Sequence, residues 1–222
     1  MSVGLDQCTD PEVICIGEAL LDRLGPLGGD PALNKPTEDC LGGAPANAAC
    51  GLAKLGTKVA FCGRLGDDAI GKQFQTLFNT RGVNLCGLQI DQTRPSRVVL
   101  VRRDLSGDRS FQGFQGDAPQ GFADQALAVN DLIDAWPLLA RRASWLLAGT
   151  IPLATSISAH ALAWVVDEAR KNDIQLALDL NWRSTFWNPK DASDSGPNES
   201  ALSKINPFLE KSALLKLAKE EA

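Results

Sequence analysis

The chain has 222 residues, 44% of them hydrophobic and 22% charged, and a net charge of −5. That balance suits one sizeable core, and an acidic chain without a Lys/Arg stripe argues against nucleic acid as a partner. Residues 1–12 are polar and acidic, and the longest apolar run, 145–154, is broken by Gly149 and Pro152. Neither reads as a signal peptide or a membrane span, so a cytoplasmic protein with no membrane partner is expected.

Val13-Ile14-Cys15-Ile16 is a continuous apolar run, the pattern of a strand buried on both faces. Gly17 ends it, and residues 18–22 follow where the strand should empty into a cleft. Residues 23–40 are rich in Gly, Pro and Asp and read as an excursion from the core. Leu41-Gly42-Gly43-Ala44-Pro45-Ala46-Asn47 brings the chain back into a helix that opens on Pro45, ends at Leu55 and stops at Gly56. Residues 57–62 read as a second strand. Gly66-Asp67-Asp68 opens a helix to about Arg81, with the aspartates near its positive end.

Residues 96–103 and 109–114 are strand-like and joined by a polar turn, a hairpin expected to be the one antiparallel piece. Residues 130–142 are helical with a break at Pro137. A strand at 145–148 ends at Gly149-Thr150, a long amphipathic helix covers 155–172, and a strand at 174–180 ends at Asn181-Trp182-Arg183. A helix at 200–209 and a strand at 213–217 close the chain. The alternation predicts an α/β fold with a mainly parallel central sheet, as one domain over residues 1–222. The segments 23–40 and 96–114 are placed to pair as a small β lid over one end of that sheet.

In open α/β sheets ligands bind beyond the carboxyl ends of the strands. Asp22 follows the first strand; Gly42 and Gly43 leave room for a ligand against the backbone; Asn47 projects an amide one turn into the helix. Asn181 and Arg183 follow the strand at 174–180. A carboxylate, amides and a guanidinium in one cleft suit a polyol or a sugar acid. Singly, each has a plainer reading: turn residue, helix start, helix cap, surface charge.

Two stretches imitate other sites. Gly66-Asp67-Asp68-Ala69-Ile70-Gly71-Lys72-Gln73 nearly spells a phosphate-binding loop, but Gln73 replaces the hydroxyl that would hold magnesium, and two aspartates oppose phosphates. Gln115-Gly116-Asp117 could pass for a catalytic base, yet it follows a hairpin strand and reads as a turn. The six cysteines contain no Cys-x-x-Cys, and with His160 the single histidine no zinc site is expected. Cys15 and Cys62 fall in strand-like runs as small hydrophobes.

Taken together, these residues resemble the ribokinase-like, PfkB-type carbohydrate kinases. Ile16-Gly17-Glu18-Ala19-Leu20-Leu21-Asp22 resembles the family's first strand and sugar-binding aspartate. Gly42-Gly43-Ala44-Pro45-Ala46-Asn47-Ala48-Ala49, then Leu55-Gly56, Gly63-Arg64-Leu65-Gly66-Asp67-Asp68 and Gly71, resembles the N-terminal signature. Gly107-Asp108-Arg109-Ser110-Phe111 resembles the lid hairpin. Leu178-Asp179-Leu180-Asn181-Trp182-Arg183 is similar to the fructokinase branch, with Leu180 where a proline is usual.

The resemblance implies a three-layer fold with a β lid, ATP and Mg2+ as cofactors, and a small sugar as substrate. Asp22, Gly42, Gly43, Asn47, Asn181 and Arg183 would hold the sugar, and Phe111 would supply an apolar wall. Glu221, at the position of an Asn-x-x-Glu glutamate whose asparagine reads Ala218, would lie near the nucleotide phosphates and magnesium. The resemblance covers the N-terminal two-thirds of the family domain. The Gly-Ala-Gly-Asp motif of the remaining third, with the general base and anion hole, is absent from these 222 residues. A fructokinase parent is therefore expected, with the chain alone inactive. A 2-keto-3-deoxygluconate kinase or a non-catalytic kinase-like scaffold stands as the alternative, and a homodimer through the lid is left open.

Overall fold

The structure, a computed structural model, describes residues 10–116, 118 and 120–221. Its strands in chain order are β1 (Val13–Ile16), β2 (Leu20–Leu27), β3 (Glu38–Gly42), β4 (Val59–Gly66), β5 (Leu88–Asp91), β6 (Val98–Arg103), β7 (Arg109–Phe114), β8 (Trp145–Gly149), β9 (Gln175–Asp179) and β10 (Leu214–Lys216). Its helices are α1 (Ala44–Lys54), α2 (Ala69–Arg81), α3 (Asn130–Ile133), α4 (Trp136–Ala140), α5 (Ser156–Lys171), α6 (Ser184–Trp187) and α7 (Glu199–Lys211). Asp117, the aspartate of the imitation catalytic turn, lies outside the described residues.

Six strands form an all-parallel sheet in the order β10-β9-β8-β1-β4-β5. β1 pairs with β4 on one side and β8 on the other, so the order reverses at its carboxyl end, where a ligand crevice opens in such sheets. The unbroken apolar run of β1 is explained by its two covered faces. Ile14 and Ile16 pack into the cluster that holds Leu162 and Val165 of α5, while Cys15 packs with Ala46 and Ala49 of α1 and Phe74 and Phe78 of α2. Cys15 and Cys62 are buried, and loss of water pushes both thiols up to about 12, so they act as small apolar groups. Phe61 stacks on Phe78 with centroids 4.8 Å apart. Each such fully buried ring stabilises the fold by about 1.5–3 kcal/mol.

The lid is a second sheet, ordered β3-β2-β6-β7. It joins the excursion to the hairpin as expected, with two corrections. The β6–β7 hairpin is not the one antiparallel piece, because β2 and β3 also pair antiparallel, whereas β2 and β6 run parallel. Asp22, expected simply to follow the first strand, lies inside a strand of its own, β2, opposite Cys40 and Val99. Glycine and proline within residues 23–40 masked the strand character of its two ends. A further strand, β5, was not anticipated: Leu88-Gln89-Ile90-Asp91 alternates apolar and polar, but over only four residues, the shortest run that carries such a signal. The break expected at Pro137 falls just upstream of α4, where proline sits in the first turn and needs no N–H partner.

The Gly66-Asp67-Asp68 segment ties the lid to the core. Asp68 caps α2 by accepting from the Gly71 N–H at 2.8 Å, and it also accepts from the Ser96 N–H at 2.7 Å and the Ser96 hydroxyl at 2.9 Å. Its carboxylate is thus engaged in holding the start of β6, the opposite of a phosphate cradle. Leu180, standing where the resemblance expects proline, donates its N–H to the Lys216 carbonyl at 2.9 Å, a bond proline could not make.

β10 is the edge of the central sheet, with Leu214 and Leu215 54% and 42% exposed. An edge strand with one neighbour and a solvated face opens locally more easily than a central one. Amides of β10 are expected to exchange with solvent at least tenfold faster than those of β1, by hydrogen-exchange mass spectrometry. Equal protection of the two strands would contradict this account of the edge.

Candidate functional site

A cavity of about 550 Å³ lies between the lid and the carboxyl ends of β1 and β8. Asp22, Gly43, Asn47, Phe111, Asn181 and Arg183 all line it, although they come from four separate stretches of the chain. Gly42 stands behind the wall: a Cβ there would lie 2.8 Å from Asp22 Oδ2, so glycine lets the Asp22 carboxylate lie flat against the backbone. Gly43 has φ 101°, and a Cβ on it would lie 2.5 Å from the Glu18 carbonyl. Only glycine permits α1 to start this close to the β1–β2 connection. Asn47 closes the first turn of α1 through its N–H to the Gly43 carbonyl at 2.8 Å, which sets its exposed side chain over the cavity floor.

Asp22 is half-buried, and that burial raises its carboxyl above the usual range, while Arg109 and Arg183 pull it back down. The carboxylate takes no hydrogen bond from the described side chains and is open to a ligand's hydroxyl donors. Asn181 adopts φ 39°, a left-handed conformation asparagine tolerates better than most residues, and this swings the 181–183 turn towards the cavity. Arg183 is exposed and lies 3.8 Å from Glu221. Glu221 is not in the cavity wall. Its Oε1 accepts from the Trp182 N–H at 2.6 Å and its Oε2 from the Ala218 N–H at 2.7 Å, so it braces the turn that carries Asn181 and Arg183.

The site also contains residues not singled out from sequence. Glu18 is 2% exposed and lines the cavity at the end of β1. α1 has no side-chain cap of its own at Gly43, and Glu18 Oε1 accepts the Ala44 N–H at 3.0 Å instead. Burial pushes the Glu18 carboxyl up to about 7, opposed by the backbone N–H bonds and by Arg97. Its position just past an apolar strand was the available signal, but its partner is 26 residues away. Arg109, from the lid, adds a second cation to the cavity wall. His160 is exposed on α5 and takes no part in the cavity.

Among the described residues no three His, Cys, Asp or Glu side chains gather to hold a metal ion. Both Glu221 oxygens are engaged with backbone N–H groups. Neither observation singles out a residue of this chain as a Mg2+ ligand. No helix among the described residues is long and apolar enough to cross a membrane.

Residues 10–222 match the family described as pfkB family carbohydrate kinase. The chain is similar to fructokinase from Escherichia coli, 31% identical over 79% of this chain and 52% of that protein. It is also similar to fructokinase-2 from Oryza sativa subsp. japonica, 30% identical over 83% of this chain and 53% of that protein. Among solved structures, a fructokinase from Xylella fastidiosa superposes with a TM-score of 0.76 at 29% identity, over 94% of this chain and 60% of that one. A Pyrococcus horikoshii sugar kinase in complex with ATP superposes with a TM-score of 0.78 at 25% identity, over 94% and 64% of the two chains. The chain thus spans about half the length of the curated relatives it matches. With its lid, its switch-point cavity and a match from residue 10 to residue 222, the chain belongs to the PfkB family of carbohydrate kinases.

Proposed function

We propose that the chain holds a hexose, fructose first, as the acceptor in ATP-dependent phosphoryl transfer to a primary hydroxyl. The observation that carries this reading is the convergence of Asp22, Asn47 and Asn181 on one cavity walled on its lid side by Phe111. A carboxylate without donors among the described residues accepts from sugar hydroxyls, and amides both donate and accept, which matches a polyol's alternating needs. The apolar ring faces the C–H surface of the sugar, and the lid shields it from water. Positioning of this kind is one half of the catalytic gain in phosphoryl transfer; charge stabilisation at the phosphoryl group is the other.

The second half is implied by the family resemblance to reside in a Gly-Ala-Gly-Asp segment, and no such run occurs in these 222 residues. ATP is the expected phosphoryl donor, and Glu221 would act towards it by holding Arg183. Without a general base and an anion hole, turnover falls by orders of magnitude. The isolated 222-residue chain is therefore expected to release no fructose-dependent ADP above background in a coupled assay, and sustained turnover would refute this division of labour.

A sugar acid is the second reading, favoured by the presence of both Arg109 and Arg183 in the cavity wall. A carboxylate substrate such as 2-keto-3-deoxygluconate would pair with either guanidinium. Titration calorimetry of the chain with fructose, ribose and 2-keto-3-deoxygluconate separates the readings. Saturable heat with fructose alone supports the first, tighter binding of the sugar acid supports the second, and no binding of any sugar removes both.

A further inference from the structure

Glu18 stands at the point where the strand order of the central sheet reverses. Its Oε1 is used by the Ala44 N–H at the start of α1, an eleven-residue helix. Its Oε2 is buried and has no hydrogen-bond partner among the described residues. A Cβ on Gly149, at the end of β8, would lie 3.6 Å from that oxygen, which places it between the ends of β1 and β8. A buried carboxyl oxygen without a partner is costly, and native proteins keep such groups where a ligand or a function uses them. The cavity wall includes this residue together with Asp22, Gly43 and Asn47.

We propose that Glu18 is a sugar-binding residue of this site: Oε1 fixes the opening of α1, and Oε2 accepts a hydrogen bond from a hydroxyl at the inner end of the bound sugar. The proposal rests on the sugar-kinase reading above and extends it to a residue that the sugar-site pattern left out. Charge favours the ionised form as the acceptor, because a hydroxyl-to-carboxylate bond is stronger than one to a neutral acid. The α1 N-terminus and its N–H groups also favour the anion.

The charged groups facing Glu18 are Arg97, just before β6, which stabilises the anion, and Asp124, in the 3-10 turn Ala123–Ala126, which opposes it. With its carboxyl at about 7, Glu18 is mostly neutral at pH 6 and mostly ionised at pH 8. When only one form binds well, the apparent affinity scales with that form's population. A single group titrating between these pH values changes that population about tenfold.

The test is fructose binding by calorimetry from pH 6 to pH 8, on the 222-residue chain and on Glu18→Gln. Glutamine keeps a carbonyl for the Ala44 N–H but cannot ionise. The wild-type chain is expected to bind fructose about tenfold more tightly at pH 8 than at pH 6, and Glu18→Gln to vary less than about twofold. Asp22 is the other carboxylate of the cavity wall, and Glu18→Gln leaves it in place. A wild-type affinity independent of pH, or a tenfold dependence retained by Glu18→Gln, overturns the proposal while leaving fructose binding intact. If Glu18→Gln does not fold, the wild-type profile alone decides, a flat profile refuting the role. Absence of fructose binding by the wild-type chain at every pH removes the sugar-site reading and this role with it.

Discussion

Asp22→Asn is expected to weaken fructose binding by about 100-fold or more while leaving the fold as stable as before. The carboxylate sits in the middle of β2, half-buried, with Arg109 and Arg183 acting on it but no hydrogen bond from the described side chains. A hydrogen bond to a charged group contributes about 1.5–3 kcal/mol. Two sugar hydroxyls donating to Asp22 would together supply roughly 3–6 kcal/mol, and asparagine keeps one acceptor without the charge. Stability should not fall, because burial already disfavours the charge of a carboxylate that no donor among the described residues satisfies. The measurement is calorimetric affinity beside the urea midpoint. A change in affinity below about threefold would mean that the sugar lies elsewhere, and a large drop in urea midpoint would mean that Asp22 is structural.

Asp124→Ala is expected to show the reverse pattern, a large loss of stability. Arg97 Nε and a terminal nitrogen donate to the two Asp124 oxygens at 2.9 and 3.1 Å, with both side chains nearly inaccessible. The guanidinium is enclosed by the rings of Phe114, Phe122 and Phe186 at 4.6–4.7 Å. Removing the carboxylate strands a cation that water cannot reach, at a cost of about 3–5 kcal/mol. For a chain of this size that corresponds to a fall in melting temperature of roughly 6–20 °C. Arg97→Met combined with Asp124→Leu should recover most of the loss, since a matched apolar pair leaves no charge behind. A cost under about 1 kcal/mol for Asp124→Ala would show that solvent reaches Arg97. The pair sits at the base of the lid, where Arg97 leads into β6 and Phe114 ends β7, so a destabilised variant should also hold the sugar cavity less well.

These two residues also mark the limit of what the linear chain discloses. Asp22 was legible as a residue of the cleft because it follows an apolar strand and precedes a glycine-led helix start. Its place inside a lid strand was not, because strand pairing across Gly25, Pro26 and the 28–31 turn depends on partners at residues 38–42 and 98–103. Asp124 gave no sequence signal at all. It lies in a short 3-10 turn, and its meaning comes wholly from Arg97, 27 residues earlier.

Readable from the residues alone are the α/β alternation, the two-sided burial of the strand at residues 13–16, the Gly42-Gly43 entry to α1 and the polar groups at the strand ends. These are local properties: burial on two faces demands an unbroken apolar run, and proline in a first turn marks a helix start by its own fixed φ and missing N–H. Only the folded chain shows that β2 and β3 are strands, that β5 exists, that Glu18 caps α1, and that Glu221 braces the 181–183 turn. Each of these depends on desolvation and hydrogen bonds between segments that only the folded chain brings together. Gly43 could be read as a glycine that makes room; the backbone it makes room for, the Glu18 carbonyl, became visible only when the chain had closed on itself.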